Sequence, residues 1–187
     1  PLRKIQDVTV KAVVYAVNEI KVGTGAGEIN TEVEIPIVIE NMEPFTGFQF
    51  DITLPTGFDY VENSIVQSTR FNGHTISASL MAGNVVRFIS YSSSNTDFNG
   101  NSGEVFSFKL KPSVSSGNYS LVISNALISN LTLGNILSDA YNGSIQVNAP
   151  NLVISPSSIS YGNVPITETR TTTVRLSNTG NAILTID

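Results

Sequence analysis

The sequence predicts an all-β chain folded as a β-sandwich, and three observations carry that expectation. Stretches of two-residue alternation recur along the whole length. In "GFQFDITLP", residues 47–55, Phe48, Phe50, Ile52 and Leu54 fall on one side of an extended chain and Gly47, Gln49, Asp51 and Thr53 on the other. The breaks between such stretches carry turn residues. The composition also disfavours helices: only 13% of the 187 residues are charged, and Ser, Thr, Asn and Gly supply the polar surface in place of Glu and Lys.

The strands follow in order. "NEIKVG" opens the series. "INTEVEIPIVIE" puts Val33, Ile35, Ile37 and Ile39 on one face and Glu32, Glu34, Pro36, Val38 and Glu40 on the other. Pro36 lacks a ladder donor, so this strand is expected at a sheet edge or at a bulge. "GFQFDITL", "GFDYVE", "IVQST", "TISASLM", "NVVRFISYS", "EVFSFKLKP", "NYSLVISN" and "GSIQVN" complete the set. Between them lie Pro55-Thr56-Gly57, Asn72-Gly73, Ala82-Gly83-Asn84, Asn99-Gly100-Asn101 and Ser116-Gly117-Asn118. No segment keeps a helical period for three turns, and "NLTLGNILSDA" holds one short turn at most.

Three parts are expected. Residues 1–17, including the apolar "DVTVKAVVYAV", form a lead that is either an added edge strand or the end of something upstream. Residues 18–149 form the sandwich. Pro150 and Pro156 bracket a short strand, after which the pattern changes. Residues 150–187 hold about four expected strands, too few for a sandwich of about seven, so this part is expected to be a truncated second module.

Composition excludes several functions. Ten basic residues, a net charge of −5 and no basic stripe argue against nucleic acid. The absence of cysteine excludes disulfides and thiolate zinc sites. No apolar run reaches the ~18–20 residues of a membrane-spanning helix, and "PLRKIQD" has no apolar leader segment.

No catalytic centre is expected. The single histidine, His74, follows a turn and is expected at the surface or in a loop. Glu32, Glu34 and Glu40 share a solvated strand face, and Asp51 stands among neutral neighbours. A glycosidase needs its acid in a cleft. "DFNGNSGE", residues 97–104, places oxygens at Asp97, Asn99, Asn101 and Glu104, but has no glycine or bidentate glutamate at the positions an EF-hand calcium loop requires. It reads as an Asx-rich loop, with calcium as the lesser alternative. No metal or cofactor is assigned. Asn118, Asn130 and Asn142 begin N-glycosylation patterns that chance supplies in so Asn- and Ser-rich a chain. There is no Trp, and Tyr91 and Tyr119 are expected half-buried in strands, so no sugar-stacking platform is visible.

The ordered series "NEIKVG", "VEIPIVIENMEPFTGFQFDITLPTGFDYV", "NVVRFISYSSS", "GNSGEVFSFKLKP", "GNYSLVISNALIS" and "NGSIQV" resembles a cohesin module over roughly residues 18–148. The resemblance implies a nine-stranded jelly-roll sandwich that binds dockerin modules at bacterial surfaces. The tail, with "SPSSISYGNV" and "LSNTGNAILTI", resembles the opening half of an immunoglobulin-like repeat of the ASH/HYDIN type.

The resemblance implies a non-catalytic adhesion or assembly module of an exported, multi-domain bacterial protein, secreted or at the cell surface. It also places the "GFQFDITL" strand in the partner-facing sheet. The expected partner-binding residues are Gln49, Asp51 and Thr53 there, with Ser107 and Lys109 on the outward side of "EVFSFKLK", where Phe106, Phe108 and Leu110 point inward. A plain solvated face is the competing reading of those positions. Polysaccharide binding by the same sandwich and a structural spacer are the alternative functions.

Overall fold

The computed structural model describes residues 17–186. Fourteen strands appear among them and no helix. In chain order they are β1 (Asn18–Val22), β2 (Thr24–Glu28), β3 (Val33–Asn41), β4 (Gly47–Thr53), β5 (Phe58–Tyr60), β6 (Val66–Gln67), β7 (Thr75–Met81), β8 (Val85–Tyr91), β9 (Glu104–Pro112), β10 (Gly117–Ser129), β11 (Asp139–Tyr141), β12 (Gly143–Asn148), β13 (Leu152–Ser155) and β14 (Arg175–Asn178). The lead expected over residues 1–17 lies, but for Val17, outside the described residues.

Twelve strands build two facing sheets. One runs β11-β1-β3-β9-β5, with β6 also paired to β9; the other runs β2-β12-β10-β4-β8-β7. The alternation read from the sequence sets what lies between them. Ile35, Ile37 and Ile39 of β3 and Phe106, Phe108 and Leu110 of β9 meet Phe48, Phe50 and Ile52 of β4 and Phe88 of β8, all at most 2% exposed. Phe106 joins the sheets: its ring lies parallel to Phe48 at 5.8 Å and contacts Phe88 at 5.3 Å. Each such ring or branched chain removed from water contributes roughly 1.5–3 kcal/mol. That burial, not the ladder alone, fixes which face turns inward.

The sequence did not reveal how the sandwich closes. "TGAGE" is not among the expected strands, and glycine weakens strands, yet it forms β2. After β1 the chain leaves the first sheet at Gly23 and joins the second, where β2 pairs in parallel with β12. β1 stays in the first sheet and pairs in parallel with β11. The crossing strand lies against β3: a Cβ on Gly25 would sit 2.6 Å from Ile35 Cδ1 and 2.8 Å from the Glu34 carbonyl oxygen. Only a residue without a side chain fits so close an approach.

Pro36 lies in an interior strand, between β1 and β9, rather than at an edge. Its carbonyl accepts a bond from the Gly23 amide at 2.8 Å. In a strand the amide and carbonyl of one residue face the same neighbour, so the missing donor faces the place where β1 ends. A bulge against β9 follows at once, between Ile37 and Val38.

The tail holds two strands rather than about four. β13 and β14 pair antiparallel, and "SPSSISYGNV" contains no further strand. Their side chains are exposed or nearly so, including Leu152, Val153, Ile154 and Leu176 at 41–50%. The turn after β14 is tied to the end of β12. The Asn181 amide donates to the Ala149 carbonyl at 3.2 Å, and its side-chain oxygen accepts from the Ala149 amide at 3.0 Å.

Candidate partner-docking face

The outer face of β10-β4-β8-β7 is built by register. β4 pairs with β8 so that Gly47 faces Tyr91, Gln49 faces Ile89, Asp51 faces Arg87 and Thr53 faces Val85. On its other side Gln49 faces Leu127, and Thr53 faces Val122. Beyond β8, Thr75, Ser77, Ser79 and Met81 of β7 continue the rows. Directly opposed residues share a face, so these side chains form one outward surface.

A shallow cleft of about 240 Å³ opens at one end of this face, bordered by Gln49, Ile89, Tyr91, Leu127 and Leu133. Gly47 forms part of its lining, and a Cβ there would stand 2.7 Å from the Ser90 carbonyl oxygen. Tyr91 is 53% exposed and Leu133 84%. Tyr91 is therefore a surface side chain, not the half-buried residue expected. Tyr119 is partly buried, its ring against Phe58.

Beside the cleft lies an ion pair. Arg87 donates from Nε to Asp51 Oδ1 and from Nη2 to Asp51 Oδ2, both at 2.7 Å. Asn125 donates its amide to the same Oδ2 at 2.8 Å. Asn125 reaches it because β10 bulges between Ser124 and Leu127, and Asn125 takes a left-handed φ of 48° there. The Arg87 hydrogen bonds hold the Asp51 carboxyl below its usual range, and Asp51 in turn raises Arg87. Two charge-assisted bonds in a fork geometry make a specific pairing.

The five expected partner-binding residues do not form one surface. Gln49 is half-buried and Thr53 exposed on the face just described. Asp51 stands on that face but is 3% exposed, covered by Arg87 and Asn125, and is not the free acceptor expected. Ser107 and Lys109 lie on β9, in the opposite sheet, so their outer side faces away from β4. Ser107 is buried and donates to the Glu34 carboxylate on β3. Lys109 pairs with Glu32 at 3.0 Å. A period of two gives the side of a strand, but not the sheet to which it belongs.

Two other positions also depart from expectation. His74 lies in the loop before β7 but is buried rather than at the surface, and it stacks on Phe98 with ring centroids 3.6 Å apart. Its Nδ1 accepts from the Asn72 amide, and burial pushes its pKa below the ordinary histidine value. The 97–104 loop contributes Phe98 to the core and wraps a residue the sequence did not mark, Arg70. Its guanidinium donates to the carbonyls of Asn99, Gly100, Gly103 and Ile39 and to the Asn41 side-chain oxygen. No periodicity or motif signals this arginine, because its acceptors are mainly backbone carbonyls about thirty residues away.

No family model and no curated protein matches the sequence. Solved structures do. A non-cellulosomal cohesin from the archaeon Archaeoglobus fulgidus superposes with a TM-score of 0.60 at 15% identity, covering 72% of this chain and 93% of that one. The seventh ScaB type I cohesin from Pseudobacteroides cellulosolvens gives 0.61 at 17% identity, over 78% and 99%. A type I cohesin–dockerin complex from Clostridium thermocellum gives 0.60 at 10% identity, over 74% and 98%. At this identity the likeness speaks to architecture, and the chain carries the all-β jelly-roll sandwich of the cohesin fold.

Proposed function

We propose that the chain is a non-catalytic protein-binding module of an exported, multi-domain bacterial protein, at the cell surface or secreted. Its partner is a dockerin-like module received on the outer face of β10-β4-β8-β7. The observation that carries this reading is the cleft between Tyr91, Ile89, Leu127 and Leu133 beside the Asp51–Arg87 pair. An aromatic and aliphatic centre with polar groups around it is the anatomy of a protein interface. Three structural neighbours described above are cohesins, one of them solved with a dockerin.

The cleft centre differs from the row of residues suggested by alternation alone. In this proposal Gln49 and Thr53 contact the partner, and Asp51 holds Arg87 in position. Ser107 and Lys109 take no part. A polysaccharide ligand would want several stacked aromatics, and Tyr91 is the one aromatic that β4, β7, β8 and β10 place on this face. In the same proposal residues 150–187 belong to a second, immunoglobulin-like module of the ASH/HYDIN type, because burial ceases after Ala149.

The test is calorimetric titration of the chain with a panel of dockerin modules, beside a glycan array. Binding to a dockerin that weakens at least about ten-fold in Tyr91→Ser and in Leu127→Ser supports the assignment. Glycan binding with no dockerin bound would replace it with the polysaccharide reading.

A further inference from the structure

β7 is a sheet edge of an unusual kind. It pairs with β8 over seven consecutive residues with no register shift, and no other described strand pairs with it. Natural edges are kept from pairing by charge, proline, bulges or shortness. "TISASLM" has no charged residue and no proline. The other edges of the two sheets are protected. β11 and β5 have three residues each and carry Asp139 and Asp59. β6 has two residues, and β2 carries two glycines and Glu28 and lies against β3.

Among the described residues the inner side of this edge is only partly covered. An open cleft of about 650 Å³ lies between β7 and the β5–β6 segment, with Ile65, Ile76, Ala78 and Leu80 among its apolar borders and Glu62 and Gln67 among its polar ones. Leu80 is 61% exposed, although its place in the alternation is inward. Among the described residues the sandwich is thus only partly closed under β7, most open at Leu80, while Ile76 and Ala78 keep contact with the core.

The sequence of the edge indicates what covers it. Ile76-Ser77-Ala78-Ser79-Leu80 reads nearly the same in both directions. In an antiparallel pair centred on Ala78, Ala78 meets its own copy, each Ser77 meets Ser79, and each Ile76 meets Leu80. Apolar residues then face apolar ones and hydroxyls face hydroxyls. Opposed residues share a face, so each copy would bring Leu80 and Ile76 over the other's open cleft.

We propose that β7 is a homodimer interface, in which two copies of this chain pair antiparallel edge to edge about Ala78. A two-fold interface requires a self-complementary patch, and the near-palindrome supplies it. The outer faces of both copies lie on the same side, so the pair forms one continuous surface twice as wide. The dimer goes beyond the docking proposal and is tested without any partner.

Sedimentation of the full chain should show a reversible monomer–dimer equilibrium in the range of about 1–100 μM, where small interfaces lie. Leu80→Lys, at an exposed position, should raise the dissociation constant at least about ten-fold. The natural chain has no cysteine, so thiols report cleanly. Ala78→Cys should crosslink rapidly with a short bismaleimide, because opposed Cβ atoms lie about 5 Å apart. Thr75→Cys should not, since the two copies of that position lie six residues of rise apart, ~20 Å. A monomer throughout the range overturns the proposal. Equal crosslinking of the two cysteine variants does so as well, and that comparison remains decisive even if Leu80→Lys folds poorly.

Discussion

Arg87 holds both carboxylate oxygens of Asp51 across the β4–β8 pair, at 2.7 Å each, and Asn125 closes over the same carboxylate from the β10 bulge. This arrangement makes Asp51 part of the construction of the outer face. Asp51→Ala should therefore destabilise the chain by about 1–3 kcal/mol, the cost of leaving charged hydrogen-bonding groups unpaired. The lower part of that range is expected, because Arg87 remains partly in water. Gln49→Ala and Thr53→Ala should change stability by no more than about 0.5 kcal/mol. Urea unfolding of the three variants checks the contrast.

The same pair sets a pH dependence. The folded-state pKa of Asp51 is lowered, chiefly by its hydrogen bonds to Arg87. Its contribution is thus complete above the unfolded aspartate value of about 3.9. It is lost as pH falls through the lower folded value. The stability gap between the natural chain and Asp51→Asn should be constant from pH 7 to about 5 and should narrow below about 4. Melting temperatures across that range test this.

His74 acts in the same direction in a different window. Burial lowers its folded pKa, so the unfolded chain binds the proton more readily. The stability gained by keeping His74 neutral is complete above the unfolded value of about 6.5 and declines as pH falls below it. The natural chain should lose melting temperature more steeply than His74→Gln between pH 7.5 and pH 5. Parallel slopes would contradict the assignment.

Arg70→Met should be severe. It removes the donors to four backbone carbonyls and the Asn41 side chain at a site where Arg70 is 6% exposed. At roughly 1–3 kcal/mol for each buried group left unsatisfied, the loss should exceed about 3 kcal/mol. Hydrogen exchange should speed up over residues 99–103 before it does in β4.

Phe106→Ala should cost about 3–5 kcal/mol, since it opens a cavity where the rings of both sheets meet. By contrast, amides of β14 should exchange faster than those of β4 in the natural chain, because the β13–β14 pair has no buried face. Equal protection of the two strands would mean that something covers the tail in solution.

Most strands of the sandwich were legible in the sequence, and for β3, β4 and β9 so was the side that turns inward. Alternation in β3, β4 and β9 placed the large side chains that these strands send inward, such as Ile37, Phe50 and Phe108, because a pleated strand with one dry face must repeat every two residues. Phe45 and Phe98, also buried, lie in loops that no alternation marks. The turns between the strands were legible as well. What the polar sides do followed from the pairing of distant strands. Asp51 and Ser107 read alike as outward polar residues, yet they stand on opposite sheets and each is occupied by a partner. Asp51 meets Arg87 and Asn125, 36 and 74 residues away, and Ser107 meets Glu34, 73 residues away. β2 was hidden because its glycines answer to β3, a strand outside its own sheet. Arg70 was hidden because its partners are mainly carbonyls, which every residue has. Alternation is a local property of the backbone, whereas coverage of an outer face depends on which distant strand the sheet brings alongside.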